Sequence, residues 1–260
     1  MTAHPRQLAR SFAPLAKSQF QNLLVSGCSF TYNNSDRHIC SWPYYMRDLG
    51  GFSQVLDCSQ SGAGNNHVFN SVVNEIETNP AVAADNTVVI VMWSGLTRTD
   101  VIATPDITRK WHSESNYNFN NWFSTFSIFN RPQGTGYRAL EELCQLYKRT
   151  VSVDAQVYES LIKMIALRAY LDQRGFESVA LSWKDPALEY HNRNIDQCII
   201  DSAVQTLDTT VEYLDSYAQR HCEQAPDGHP TGAGYLGWTQ NCLLPAMQAR
   251  GLVTPISCVP

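Results

Sequence analysis

The sequence predicts an α/β protein, a three-layer α/β/α sandwich built on a central parallel sheet. A short apolar run within 22–26 and an apolar, β-branched run at 87–93 alternate with longer segments of helical period. Those runs are almost continuously hydrophobic, as parallel strands covered on both faces are. The chain's 260 residues, 43% hydrophobic and 17% charged, suit one large domain with a substantial core.

In chain order, residues 1–21 form an N-terminal extension with Arg6, Arg10 and Lys17 and no acid before Asp36. This basic bias faintly suggests a transit peptide. The stretch lacks the apolar core of a secretory signal, and Leu8, Phe12 and Leu15 suit a short helix packed on the domain. Strands are expected at 22–26, 53–58, 87–93 and 176–182, with helices around 42–49, 67–77, 136–148 and 154–174 and helical segments onward to 250. In the long helix Val157, Leu161, Met164, Ile165, Leu167 and Leu171 form one apolar stripe, Asp154 is the expected N-cap, and Gly175 closes it. Gly251 closes the final helix and leaves 251–260 as a tail. The domain proper spans 22–250, with an irregular insertion over about 94–138.

A formal net charge of -5 argues against a nucleic-acid surface, which ordinarily carries a basic stripe. No segment has the length of uninterrupted apolar sequence that spans a bilayer. The eight cysteines contain no Cys-x-x-Cys pair, so neither a zinc site nor a small disulfide scaffold is indicated. Reduced thiols in a cytoplasmic setting are the default expectation.

The first strand stops at Gly27-Cys28-Ser29-Phe30-Thr31, where apolar sequence turns polar at once, so Ser29 is expected on a tight strand-to-helix turn. In open α/β sheets ligands bind outside the carboxyl ends of the strands, which exposes a hydroxyl there to chemistry, although turn and cap serines are common. Near the other end, Asp227-Gly228-His229-Pro230-Thr231 holds a histidine in a rigid loop before an apolar helical segment, with Thr231 as its N-cap. A nucleophilic serine needs a base, and the base needs an orienting acid; Ser29, His229 and Asp227 are those residue types. Cys28 is a rival nucleophile by chemistry, but its position points it back into the sheet as a small buried side chain.

These blocks resemble the SGNH (GDSL-like) hydrolases, in particular divergent phage-associated members, through Gly-Cys-Ser-Phe-Thr, a middle glycine block at Gly62, and Gly-His-Pro followed by Gly234-Tyr235. The resemblance extends over most of 22–250 but is carried by about twenty positions. It implies a flavodoxin-like fold, a Ser29–His229–Asp227 triad, and an oxyanion hole from the N–H groups of Ser29 and Gly62. The small-residue loop before the helix near His67 has the exposed N–H groups such a hole needs, while an ordinary βα turn uses the same glycines. Asn65 is a further substrate-binding candidate, and either it or Asn66 can cap the helix instead.

Two departures from the family pattern stand out. After strand 87–93 the family places Gly-x-Asn-Asp, whereas this chain has Ser94-Gly95-Leu96-Thr97-Arg98. The missing donor is replaceable by the hydroxyl of Ser94 or Thr97, by a backbone N–H, or by Arg98 for anionic substrates. The family's acid stands three residues before the histidine, here Pro226, while Asp227 is two before. Asp227 either reaches Nδ1 across a tight turn or caps the turn and leaves a Ser-His dyad. The insertion carries Trp111, Tyr117, Phe119, Trp122, Phe123, Phe126 and Phe129 among asparagines, composition that fits a carbohydrate-facing lid or equally a satellite core or interface. Ser182-Trp183-Lys184-Asp185-Pro186 and Tyr190-His191-Asn192 sit where they can line the cleft, while turn chemistry accounts for Asp-Pro and Asn without any function, and the other histidines lack a nearby motif.

The expected function is a serine esterase acting on short-chain esters, with carbohydrate O-acetyl groups the best substrate class, Thr97 and Arg98 as substrate contacts, and no metal or organic cofactor. The alternative is a structural or carbohydrate-binding protein on the same fold, as part of a homo-oligomer or a phage virion, which makes the location cytoplasmic or virion-associated.

Overall fold

The computed structural model describes residues 16–32, 40–98, 100–102, 125–127, 142, 145–147, 149–222, 224–225 and 228–255. Its framework is a sheet of four parallel strands: β2 (Asn22–Gly27), β3 (Gln54–Asp57), β4 (Thr87–Trp93) and β7 (Glu177–Ser182), in the spatial order β3-β2-β4-β7. The register pairs Val25 with Asp57 on one side of β2 and Gly27 with Met92 on the other. The chain leaves β2 toward β3, then crosses back to β4 on the opposite side of β2. The order therefore reverses between β2 and β4, and the crevice outside their carboxyl ends is the natural ligand site.

Alternation along the strands explains the layers. Leu23, Val25, Val88, Ile90, Met92, Val179 and Leu181 point to one face and pack on α1 (Trp42–Gly50), α7 (Gly232–Trp238) and α8 (Leu244–Ala249) through Trp42, Met46, Tyr235, Trp238 and Met247. Leu24, Val89, Val91 and Trp93 point to the other, against α2 (Asn65–Thr78), α3 (Val153–Gln173) and α5 (Gln197–Val204). Every residue of β2 and β4 is buried, so neither strand alternates apolar with exposed polar residues; β4 is hydrophobic almost throughout, and β2 carries Leu23, Leu24 and Val25 between buried Asn22 and Ser26. The short helices α4 (Ala187–Tyr190) and α6 (Leu214–His221) complete the connections between β7 and α7.

Several ends differ from expectation for definite reasons. Ser152, not Asp154, caps α3: its side chain accepts from the Ala155 N–H at 3.1 Å, and Asp154 lies in the first turn, where a negative charge meets the positive end of the helix. Gly175 follows the C-cap at φ 76°, the left-handed conformation that glycine adopts without steric cost. The terminal helical stretch is not one helix but α7, a π-helical turn (Thr239–Leu243) and α8, with Pro245 near the start of α8. Proline lacks the N–H that an uninterrupted α-helix would use there. The ends of the described chain pair with each other: β1 (Ala16–Ser18) runs antiparallel to β8 (Val253–Pro255). Leu8, Phe12 and Leu15 lie outside the described residues. So does most of the insertion, of which 94–98, β5 (Asp100–Ile102) and its antiparallel partner β6 (Thr125–Ser127) are described; Trp111, Tyr117, Phe119, Trp122, Phe123 and Phe129 fall outside. Among the described residues, Cys28, Cys40, Cys58, Cys198, Cys222 and Cys242 are free thiols, and no helix is long and apolar enough to cross a membrane.

Candidate active site

The turn that ends β2 is tight because Thr31 and Tyr32 both donate their N–H to the Cys28 carbonyl, each at 2.9 Å. It also demands glycine at position 27, since a Cβ there would stand 2.2 Å from Thr31 Oγ1 and 3.0 Å from the Met92 carbonyl oxygen. Cys28, just past the end of β2, is fully buried in the core, as expected of a side chain pointing back into the sheet, while Ser29 is half-buried at the mouth of the turn. Ser29 is thus held at the carboxyl edge of the sheet by backbone geometry alone.

His229 arrives from 200 residues away, with Nε2 at 2.8 Å from Ser29 Oγ. Its loop is shaped locally. Gly228 takes φ 80° and donates its N–H to the Ala225 carbonyl, Ala225 donates to the His229 carbonyl, and Gln224 bridges Pro230. Immediately after, Thr231 caps α7 by accepting from the Gly234 N–H at 3.3 Å, as expected. The helix therefore anchors the histidine on its C-terminal side. Asp227, the expected orienting acid, lies outside the described residues, as does Pro226.

The β3 exit loop runs beside this turn. Cys58 and Gln60 donate their N–H groups to the carbonyls of Val25 and Gly27, which extends the β2 pairing past the last formal strand residue. Gly62 follows two residues later, buried and at φ 76°, a conformation that requires glycine. Among the described residues, the backbone bonds of the two turns run from Thr31, Tyr32 and Ala63, and the N–H groups of Ser29 and Gly62 take no part in them.

The β4 exit loop is tied down on both sides. Asn65, buried at the start of α2, accepts the Ser94 N–H at 2.9 Å through Oδ1 and donates through Nδ2 to Ser160 Oγ at 3.1 Å and to the Gly95 carbonyl at 3.3 Å. Its amide is engaged on both atoms, so the expected substrate contact becomes a positioning role. Neither asparagine caps α2. Asp100 from β5 does so instead, accepting the N–H groups of Gly64 at 2.7 Å and His67 at 3.0 Å through one carboxylate oxygen, while Asn66 donates to the Asp100 carbonyl. Burial pushes the Asp100 carboxyl up to about 6, with those two N–H donors and the nearby Arg98 charge pulling the other way. On the far side of the loop, Glu189 accepts the Leu96 N–H and pairs with Lys184 at 2.7 Å. Ser94 is buried with an Oγ that finds no partner among the described residues, and Thr97 and Arg98 are half-buried in the turn closed by the Arg98 N–H to Gly95 carbonyl bond.

Of the other titratable groups, His67 and Asp57 have structural employment. His67 places Nε2 at 2.8 Å from the Cys58 carbonyl, His191 is exposed at the end of α4, and Asp57 accepts from the N–H and hydroxyl of Ser59 and from the Tyr44 hydroxyl. Burial raises the Asp57 carboxyl to about 6 as well. Sequence reasoning missed a three-ring stack. The Phe30 ring lies on the His229 imidazole, with centroids 4.4 Å apart and planes at 26°, and on the Trp183 ring at 4.2 Å and 14°. The aromatic residue directly after Ser29 was the available signal.

Neither a known family profile nor a curated protein matches the chain. Among solved structures, it is similar to protein YxiM of Bacillus subtilis, at 13% identity over 90% of this chain and a TM-score of 0.46. It is also similar to a GDSL-like lipase of Bacteroides thetaiotaomicron, at 10% identity over 88% of this chain and 89% of that one, with a TM-score of 0.38. The chain spans 58% of the length of the Bacillus protein.

Proposed function

We propose that the chain is a serine hydrolase of the SGNH type that cleaves short-chain esters, with Ser29 as nucleophile and His229 as general base and acid. The observation that carries this reading is the 2.8 Å contact between Ser29 Oγ and His229 Nε2 at the switch point of a parallel sheet. Two polar side chains so far apart in sequence meet there without either being required by a turn or a cap.

In this reaction Ser29 Oγ bonds to the ester carbonyl carbon as its proton passes to Nε2, and the carbonyl oxygen becomes an oxyanion. Collapse breaks the carbon–oxygen bond to the alcohol, which leaves with the proton from Nε2. Water then gives a proton to Nε2 and attacks the acyl group, the acid departs, and the proton returns to Ser29. The N–H groups of Ser29 and Gly62 are the oxyanion donors in this reading, with Ser94 Oγ supplying the donor that the family's asparagine would give. Loss of one such donor typically lowers kcat by about a hundredfold to a thousandfold. Asp227 orients His229, and Thr97 and Arg98 contact substrate from the β4 exit turn; a carbohydrate O-acetyl ester is the substrate class that the resemblance favours.

Hydrolysis of p-nitrophenyl acetate by the purified chain, beside Ser29→Ala and His229→Ala, tests the proposal. Turnover lost in both variants is expected. Turnover that persists unchanged in both, or is absent from the wild type, overturns it and leaves a binding role on the same fold.

A further inference from the structure

We propose that Phe30, backed by Trp183, is a positioning residue for His229: its ring fixes the plane of the imidazole and stabilises the imidazolium formed when Ser29 gives up its proton. The inference rests on the serine-hydrolase reading and extends it to a group outside the expected triad.

His229 sits on a loop, and an imidazole has two side-chain torsions through which Nε2 can drift away from Ser29 Oγ. A general base performs well only when held close to its productive geometry, within about half an ångström. The loop's turn and the Thr231 cap fix the backbone but not the ring plane. Phe30 supports the ring plane: the imidazole lies on it at 4.4 Å and 26°, a stacked arrangement. Phe30 is itself only 6% exposed, its other face is covered by Trp183 at 4.2 Å and 14°, and its backbone belongs to the same tight turn as Ser29. Nucleophile and support therefore share one rigid segment, and the base is registered to both.

Trp183 is fixed in its turn. Its carbonyl accepts the Asp215 N–H at 2.9 Å at the start of α6, and the Lys184 ammonium stands 5.0 Å from its ring while paired with Glu189. The stack is thus a strut from the β7 exit, through the nucleophile turn, to the histidine loop. Because Phe30 is enclosed by its two neighbours, it offers little surface to an ester, and its contribution falls on the proton-transfer step. An aromatic face also stabilises a cation laid on it, and Ser29 attack generates one.

The test uses Phe30→Leu, Phe30→Tyr and Trp183→Leu in the full chain. Readouts are kcat and KM for p-nitrophenyl acetate and the rate of Ser29 labelling by a fluorophosphonate. All are taken well below the unfolding transition of each variant. Phe30→Leu is expected to lower kcat and the labelling rate together by about fivefold to thirtyfold while KM stays within about twofold, the range that a desolvated cation–π contact supplies. Phe30→Tyr, which keeps the aromatic face, restores most of both rates. Should the leucine variant fail to fold, Trp183→Leu decides the matter: it leaves the His229 contact in place but loosens its backing, and about a twofold to fivefold loss in kcat is expected.

A folded Phe30→Leu with wild-type kcat and labelling rate, a loss confined to KM, or a tyrosine variant no better than leucine would show Phe30 to be core filler. A wild-type chain that neither turns over nor labels at Ser29 would instead overturn the hydrolase reading and this inference with it.

Discussion

Replacing Asn65 by alanine removes the clamp between α2 and the β4 exit loop. The cost follows from its hydrogen bonds. The Ser94 N–H, 2.9 Å from Oδ1, loses its acceptor while Ser94 remains only 2% exposed, and an orphaned buried donor costs about 1–3 kcal/mol. The Gly95 carbonyl at 3.3 Å loses a longer, weaker bond, whereas Ser160 Oγ keeps its 2.7 Å bond to the Leu96 carbonyl and suffers little. The sum is about 2–4 kcal/mol, or a fall in Tm of roughly 5–15 °C for a domain of this size. Urea unfolding followed by tryptophan fluorescence measures it. Asn65→Asp, which keeps the acceptor for Ser94 but buries a charge and loses the donors, is expected to be no more stable than alanine at pH 8. A destabilisation below about 1 kcal/mol for Asn65→Ala would refute the assignment of Asn65 as the clamp.

Gly27→Ala is expected to destabilise the fold by about 2–4 kcal/mol, because its Cβ would lie 2.2 Å from Thr31 Oγ1 and 2.7 Å from Thr31 Cβ; calorimetry of the variant checks it. Asp100 titrates near 6 in the folded chain against an ordinary 3.8, so between about pH 4 and pH 6 the folded protein keeps a proton that the unfolded chain releases. Stability from this group is therefore greatest below pH 4 and falls as pH rises toward 6, with Asp57 acting in the same direction. Asp100→Asn removes that slope. Relative to wild type it should gain on the order of 2 kcal/mol between pH 4 and pH 7.5, and equal urea midpoint differences at the two pH values would contradict this. Ser94→Ala should lower kcat by about a hundredfold or more with little change in stability if its hydroxyl meets the oxyanion, and unchanged kinetics would remove Ser94 from that role.

What the sequence made legible was whatever depends on local pattern. The strands expected at 87–93 and 22–26 are short runs bounded by turn signals, and β4 and β2 bury them on both faces, as central parallel strands are buried. Ser29 and His229 were visible because each stands in a short motif whose spacing dictates its own turn, and the sheet topology then brings the two together. Contacts made across the chain were not legible. The cap of α2 comes from Asp100, which lies 36 residues beyond Gly64, in irregular sequence that offers no local hint. The β1–β8 pair joins Ala16–Ser18 to Val253–Pro255, strands of three residues each, too short to carry a periodicity. Asn65 read as a cap or a ligand because asparagine at a helix start is usually one of these; only the position of Ser94 and Ser160 reveals that its amide is a clamp. Phe30 beside Ser29 was a local signal, but its stacking on Trp183 and His229 comes through tertiary structure alone.

The most direct test of the account is the reaction of the purified chain with a fluorophosphonate, with the modified residue located by peptide fragmentation. Activation of Ser29 by His229 predicts labelling at Ser29 in the wild type, slowed by about a hundredfold or more in His229→Ala. No label at Ser29, or a labelling rate indifferent to His229, would contradict the central claim.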